Sequence, residues 1–399
     1  MYFKYSYISK KNKFILFDNV IYIETIKNPE NVDVLLFNAS NYEKNMKINL
    51  KKFVNLKYLN CKNSGLKYTN FMNITKNIIE LNFNCYYNII NNNLIDLIDY
   101  PNNLKILKCS NNNLIKLHVN KKLKILNCEN NRLIEFNYLP NTLKDLQCNY
   151  NNLIKFPNNF KFLTNLTYIR CSNNNLTTLD NLPVNLIKLN CSNNNLISLD
   201  NLPVNLIELN CENNNLTTLD NLPVNLNELN CSNNNLTTLD NLPVNLIHLN
   251  CSDNNLTTLD NLSVNLIQLI QLNCSNNNLI SLDNLYKLSE NLIYLDCSYN
   301  NINHILNLPN KLRTLKCNYN DNIKIITFPL DLIYFSCKSK TVIILCKSII
   351  KCKYLIRYKK YKEYKYIYNI SLILNYTIEK YYYRYIKMYY EYIYNKYSF

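Results

Sequence analysis

Glycine is almost missing from this chain: Gly65 is the one example in 399 residues. A loop whose backbone amides close on a phosphate needs several glycines, so Walker-type and dinucleotide-binding sites are excluded. Tryptophan is absent, and histidine is limited to His118, His248 and His304. Three histidines so far apart give little material for a metal site or a general-base network. No stretch approaches the ~18 uninterrupted apolar residues of a membrane helix. Residues 1–17 mix Lys with Tyr and Phe and hold no apolar leader core, so neither secretion nor a membrane span is expected. No nucleophile, base and oxyanion donor can be assembled from these residues. The chain is therefore expected to be non-enzymatic, with no catalytic residue, metal or cofactor.

What is present is repetitive. Hydrophobic residues make up 47% of the chain, enough for a large core, and roughly one residue in five is Asn. From Asn181 to Asp260 a 20-residue unit runs four times, beginning NLPVNLIKLNCSNNNLISLD and ending NLPVNLIHLNCSDNNLTTLD. Written from its first strand leucine, the unit is L-x-x-L-x-C-x-x-N-x-L-x-x-L. Unit starts fall at Leu56, Ile78, Leu104, Leu123, Leu143, Leu166, Leu186, Leu206, Leu226, Leu246, Leu269, Leu292, Leu312 and Leu332, with a degenerate earlier unit near Val32. Gln268–Leu272 reads as a three-residue duplication that shifts the register without breaking it.

The pattern resembles the leucine-rich repeat family, over residues 56 to 342. The short unit with Leu-Pro ahead of the next strand is most similar to the repeats of bacterial secreted effectors. The Asn, Lys, Ile and Tyr bias resembles uncharacterised repeat proteins of large DNA viruses and of some protists. The resemblance implies an α/β repeat that is mostly β: a solenoid with a long parallel sheet on its concave face and short extended or 3-10 convex segments. The physics of the unit agrees. Alternation around Leu189 and Cys191 makes a short strand with Lys188 and Asn190 outward. The period returns the chain one strand spacing along, and no single unit can bury its apolar face alone. The domain organisation expected is an N-terminal cap at 1–55, about fourteen repeats at 56–342, and a basic Tyr/Lys-rich cap or tail at 343–399.

Thirteen of the sixteen cysteines fall at the sixth position, among them Cys191, Cys211, Cys231 and Cys251. The family usually has an inward Leu there, which implies a small buried hydrophobe. No C-x-x-C pair suggests zinc, and free core thiols point to a reducing, cytoplasmic compartment, host cytoplasm if the chain is viral. Asn174, Asn194, Asn214, Asn234 and Asn254 hold the ninth position, where the family's side chain bonds neighbouring backbone. The cysteines and asparagines are thus expected to form a structural ladder.

Binding residues are expected on the outward strand positions. The third position varies (Tyr168, Lys188, Glu208, Glu228, His248, Gln271, Tyr294) while the scaffold around it repeats. Arg170 heads the fifth-position series. Ile187, Ile207, Ile247, Ile270 and Ile293 at the second position add an apolar stripe. Tyrosine, apolar stripe and mixed charge suit a protein partner better than a phosphate backbone. Drift on a solvated face is the plainer alternative.

Charge is uneven: residues 166–300 carry −9 in a chain of net +16. Residues 341–399 hold twelve basic and three acidic side chains interleaved with Tyr, which opens a nucleic-acid reading for that segment beside that of a terminal cap. The expected function is a monomeric scaffold binding an unidentified protein through its concave face. The alternatives are a substrate adaptor of a ubiquitin ligase, and nucleic-acid binding through the basic tail.

Overall fold

The structure is a computed structural model. It describes residues 14–17, 26, 28–37, 48–62, 71–72, 74–85, 96–97, 101–260, 262, 266–282, 290–305, 308–320, 323–325, 329, 331–338, 342–344 and 354–356. The basic segment beyond 356, with both readings placed on it, lies outside the described residues. Contacts divide the chain into two compact units, Met1–Asn235 and Leu236–Phe399. The fold is a mostly-β parallel solenoid. Among the described residues, 3-10 turns at Pro29–Asn31 and Phe160–Phe162 are the helical elements.

In the first unit, Tyr58–Asn60, Glu80–Asn82, Ile106–Lys108, Ile125–Asn127, Asp145–Gln147, Tyr168–Arg170, Lys188–Asn190, Glu208–Asn210 and Glu228–Asn230 follow one another in parallel, each paired with the next. The ladder also reaches back into the segment read as a cap, because Phe14–Phe17 pairs with Val34–Phe37, and that strand with Tyr58–Asn60. In the second unit the order is His248–Asn250, Gln271–Asn273, Tyr294–Asp296, Thr314–Lys316, Tyr334–Ser336 and Tyr354–Ile356, the last beyond residue 342. Short strands also form on the return run, a feature the motif does not announce. Asp96–Leu97 pairs with Lys116–Leu117 in the first unit, and His304–Ile305, Ile323–Ile325 and Val342–Ile344 pair in the second.

Most three-residue strands have one buried side chain flanked by two less buried ones, Leu189 between Lys188 and Asn190 for example. Leucines at positions one, four and eleven are buried, as Leu206, Leu209 and Leu216 show, and the sixth-position cysteines from Cys61 to Cys317 join them, Cys337 being half-buried. The duplication at 268–272 is absorbed in the turn: Leu266 and Leu269 are both fully buried, and Leu249 still pairs with Leu272.

The turns explain how a chain can do without glycine. Asn193, Asn213 and Asn233, at the eighth position, have φ of 54°, 53° and 54°, and Asn181, Asn201 and Asn221, ahead of Leu-Pro, have 61°, 57° and 58°. Asparagine is the residue besides glycine that enters the left-handed region at low cost. In the most regular rungs both left-handed turns are given to Asn, while Tyr150, Asp253, Tyr299 and Tyr319 take the eighth-position turn in others. The turn that leads into the next unit then closes through the proline, with Leu206 N–H donating to Pro203 carbonyl at 3.0 Å.

Candidate functional site: the outward face of the strand ladder

The ninth-position asparagines hold the strand edge in place and are not free to bind anything. Asn194 is buried; its Nδ2 donates to the carbonyls of Cys191, Ser192 and the preceding rung's Cys171 at 3.0–3.1 Å. Its Oδ1 accepts the amide of Leu176 at 3.0 Å. One amide therefore satisfies four backbone groups where strand becomes turn. The same set recurs at Asn131, Asn151, Asn174 and Asn214 in the first unit and at Asn300 and Asn320 in the second. The amide of Asn234 likewise donates to the carbonyls of Cys211, Cys231 and Ser232, and that of Asn254 to those of Cys251 and Ser252.

The cysteines are closed off in the same way. Cys171, Cys191 and Cys211 are buried and each Sγ points at the next rung's carbonyl, 3.3–3.4 Å away; Cys251 makes the same contact in the second unit. Burial pushes the Cys191 and Cys231 thiols up to about 12, and those of Cys128, Cys171 and Cys211 well above the ordinary range, with neighbouring thiols adding to the effect. A thiol held this firmly protonated is a poor nucleophile and a poor ligand. Among the described residues no group of three or more His, Cys, Asp or Glu could hold a metal ion.

The fifth position is also partly committed. Asn190 Oδ1 accepts from Ser192 N–H at 3.1 Å and from Ser192 Oγ at 2.8 Å, and Asn230 does the same with Ser232. This bond caps the turn after the strand and accounts for Asn recurring there. In the second unit Asp296 takes over the role, accepting from Ser298 N–H at 3.1 Å.

That leaves the third position. Register places Asp145, Tyr168, Lys188, Glu208 and Glu228 side by side in one row of the first unit, with Gln147, Arg170 and Asn190 beside them. Tyr168 and Glu208 are half-buried, while Arg170, Lys188 and Glu228 are exposed. The Arg170 guanidinium lies 5.0 Å from the Tyr168 ring centroid and bonds its hydroxyl. Lys188 pairs with Glu208, and that hydrogen bond, together with the charges of Glu208 and Glu228, holds its ammonium above the usual lysine range. Asp145, which the motif reading did not single out, accepts from Gln147 Nε2 at 3.0 Å, while its other oxygen is buried without a hydrogen bond. Burial raises its carboxyl above the usual range, opposed by Gln147 and Arg170.

The second unit carries its own row: His248, Gln271, Tyr294, Thr314 and Tyr334. Lys316 Nζ donates to the Tyr294 hydroxyl at 2.9 Å and lies 3.5 Å from Asp296 Oδ2. Beside it, Tyr299 and Tyr319 stack with centroids 4.4 Å apart, and Tyr299 lines an open depression of about 410 Å³ with Tyr334, Ser336 and Lys338. This pair escaped the sequence reading. The signal was there, since Tyr stands at the eighth position of those two units where most others have Asn.

Searches with family models found no match, and no curated protein is significantly similar. Solved structures are similar in fold. YopM from Yersinia enterocolitica shares 25% identity over 81% of this chain and 80% of its own, with a TM-score of 0.64. YopM from Yersinia pestis, described as a leucine-rich effector protein, shares 27% over 77% and 89%, with a TM-score of 0.60. The functional domain of InlJ from Listeria monocytogenes, described as including a cysteine ladder, shares 28% with a TM-score of 0.58. That match covers 74% of this chain and 65%, just under two thirds, of InlJ. The fold is thus that of leucine-rich repeat proteins, and the cysteine row has a counterpart in a solved relative of that fold. Among the described residues no helix is long and apolar enough to cross a membrane.

Proposed function

We propose that this chain is a non-enzymatic scaffold that binds a partner protein through the outward face of its strands. The observation that carries the reading is a contrast within the repeats themselves. Leu189, Leu209 and Leu229 are interchangeable and buried, whereas Lys188, Glu208 and Glu228 beside them differ in charge and stand at the surface. The ninth-position amides, the thiols and most fifth-position amides are used up by the fold, so the third position is where the chain is free to specify something. Its mix of Tyr, Arg and carboxylate is the composition of a protein-binding surface. Leucine-rich repeat folds such as those of YopM and the internalins serve as protein-interaction scaffolds. The buried thiols fit a reducing cytoplasm, the host's if the viral resemblance holds.

Affinity purification with mass spectrometry tests this. Wild type is compared with Tyr168→Ala/Glu208→Ala/Glu228→Ala in the first unit and with His248→Ala/Tyr294→Ala in the second. A defined protein lost from either variant, with thermal stability unchanged, is the expected result. Identical recoveries from all three chains would overturn the reading.

A further inference from the structure

Residues 101–235 are described without a gap and belong to one unit. Within them, 101–165 hold ten Lys or Arg against three Asp or Glu, a balance of +7, and 166–235 hold two against six, a balance of −4. On the outward face the change is ordered by rung. Lys105, Lys124 and Lys144 occupy the second position of three consecutive rungs and are exposed. Their backbones are adjacent, Lys124 N–H donating to Lys105 carbonyl and Lys144 N–H to Lys124 carbonyl at 2.7–2.8 Å. Among the described residues no carboxylate lies within ion-pair distance of these three lysines. In the third-position row half-buried Ile106 and Ile125 lie beside the first two, and half-buried Asp145, bonded by Gln147, beside the third. Arg170 and Lys188 extend the positive run. The sign then reverses at the Lys188–Glu208 pair, and Glu208, Glu212 and Glu228 follow, with Glu212 Oε2 drawn in by Asn230 Nδ2 at 3.1 Å.

We propose that this ladder takes an extended protein segment of bipartite charge. Its acidic portion, with apolar side chains interspersed, lies over the rungs of Lys105, Lys124 and Lys144, and its basic end lies over those of Glu208 and Glu228. From the first rung to the last are six strand spacings, about 29 Å at ~4.8 Å each, which some nine extended residues span at ~3.3 Å apiece. Three adjacent ammonium groups that no carboxylate among the described residues pairs attract anionic groups, and the reversal at Glu208 penalises a segment that is acidic throughout. The apolar Ile106 and Ile125 and the carboxylates at the far end favour a peptide over a phosphate backbone, which would meet repulsion at Glu208 and Glu228. The inference deepens the reading that the outward face binds protein, and it rests on that reading.

Fluorescence anisotropy with the full chain tests it, using three labelled probes: a twelve-residue peptide with an acidic, Ile-containing half and a basic half, the same composition with its charges shuffled, and an oligothymidylate. The bipartite peptide should bind about tenfold more tightly than the shuffled one. Lys105→Glu/Lys124→Glu/Lys144→Glu should abolish that preference and bind an all-basic peptide more tightly than wild type does, a gain an unfolded chain would not show. Equal binding of the two peptides would overturn the proposal. So would tighter binding of the oligothymidylate, which would make the lysine row a nucleic-acid site, or self-association in place of peptide binding. If the peptides are not discriminated while the Tyr168/Glu208/Glu228 variant still loses a partner protein, the charge order fails and the scaffold reading stands.

Discussion

Two rungs of the first unit, one starting at Leu123 and the other at Leu206, are nearly the same object inside and different objects outside. Inside, Leu126 matches Leu209, Cys128 matches Cys211, and Leu133 matches Leu216, all buried. Asn131 donates to Cys109, Cys128 and Glu129 carbonyls at 2.9–3.2 Å and accepts from Leu114. Asn214 donates to Cys191, Cys211 and Glu212 carbonyls at 3.0–3.2 Å and accepts from Leu196. Even the seventh-position glutamate is shared. Outside, Lys124 and Ile125 stand where the later rung has Ile207 and Glu208. The comparison teaches that the fold constrains one side of the strand and leaves the other to vary, so the two sides should respond separately to perturbation.

The largest expected effect strikes what all rungs share. Eight aligned thiols of the first unit, from Cys61 to Cys231, have their ionisation pushed up by burial. The folded chain keeps these protons while the unfolded chain gives them up near pH 8.5. Their contribution is therefore intact below that pH and is lost as the pH climbs toward 12. Each thiol costs about 1.4 kcal/mol per pH unit, so eight together reach on the order of 10 kcal/mol within a single unit, comparable to the stability of a whole domain. Urea denaturation followed from pH 8 to pH 10 should show a steep fall, with thiols inert to Ellman's reagent until the chain opens. A flat profile would mean the thiols are not sealed.

Next in size is the amide ladder. Asn131→Ala and Asn214→Ala each leave one buried N–H, of Leu114 or Leu196, without a partner, at about 1–3 kcal/mol, and take one donor from three carbonyls that each keep another. Denaturant titration should give a loss of about 2 kcal/mol for each, and the two losses should agree despite the opposite charge outside. Unequal losses would break the equivalence of the two interiors.

A smaller effect is expected at the left-handed turn. Asn130 and Asn213 have φ of 51° and 53°, where alanine pays about 1 kcal/mol and glycine pays no steric cost. Asn213→Ala should lower the denaturation midpoint and Asn213→Gly should leave it nearly unchanged. Loss with both would show that the side-chain bond from Asn233 Nδ2 to Asn213 Oδ1, 2.8 Å long, matters more than the backbone angle.

The interior was legible in the sequence because it repeats: Leu189, Cys191 and Asn194 recur in phase, and phase identifies the face. The run Asn193-Asn194-Asn195 shows where legibility ended. Its three residues look alike, yet the first bends the backbone, the second fills the ladder, and only spacing to Leu196 distinguishes them. The scarcity of glycine was read as excluding phosphate loops, while its other meaning, that Asn had taken over the left-handed turns, needed the backbone angles. Val34–Phe37 falls in the degenerate unit expected near Val32, and Phe14–Phe17 in a stretch whose alternation suggests strands; what stayed hidden is that Phe14–Phe17 joins the ladder, because its segment lacks the Leu and Cys pattern that marks a rung. The outward row could be enumerated but not interpreted, since the fold places little demand on a side chain there and the repeat pattern carries no signal for it.

The three surplus residues before Gln271 carry a consequence for how such a chain can change over generations. Register is enforced only where Leu249 meets Leu272, so the arc between strands can lengthen while the strands keep their pairing. A replication slip that adds or removes a few codons in an arc, or a whole rung, therefore yields another foldable protein. Extra arcs become new loops at the edge of the ladder, and whole rungs lengthen its surface. Repeat number and loop length can then drift or be selected almost independently of the core, and a lineage carrying this gene can sample new surfaces by copying errors alone.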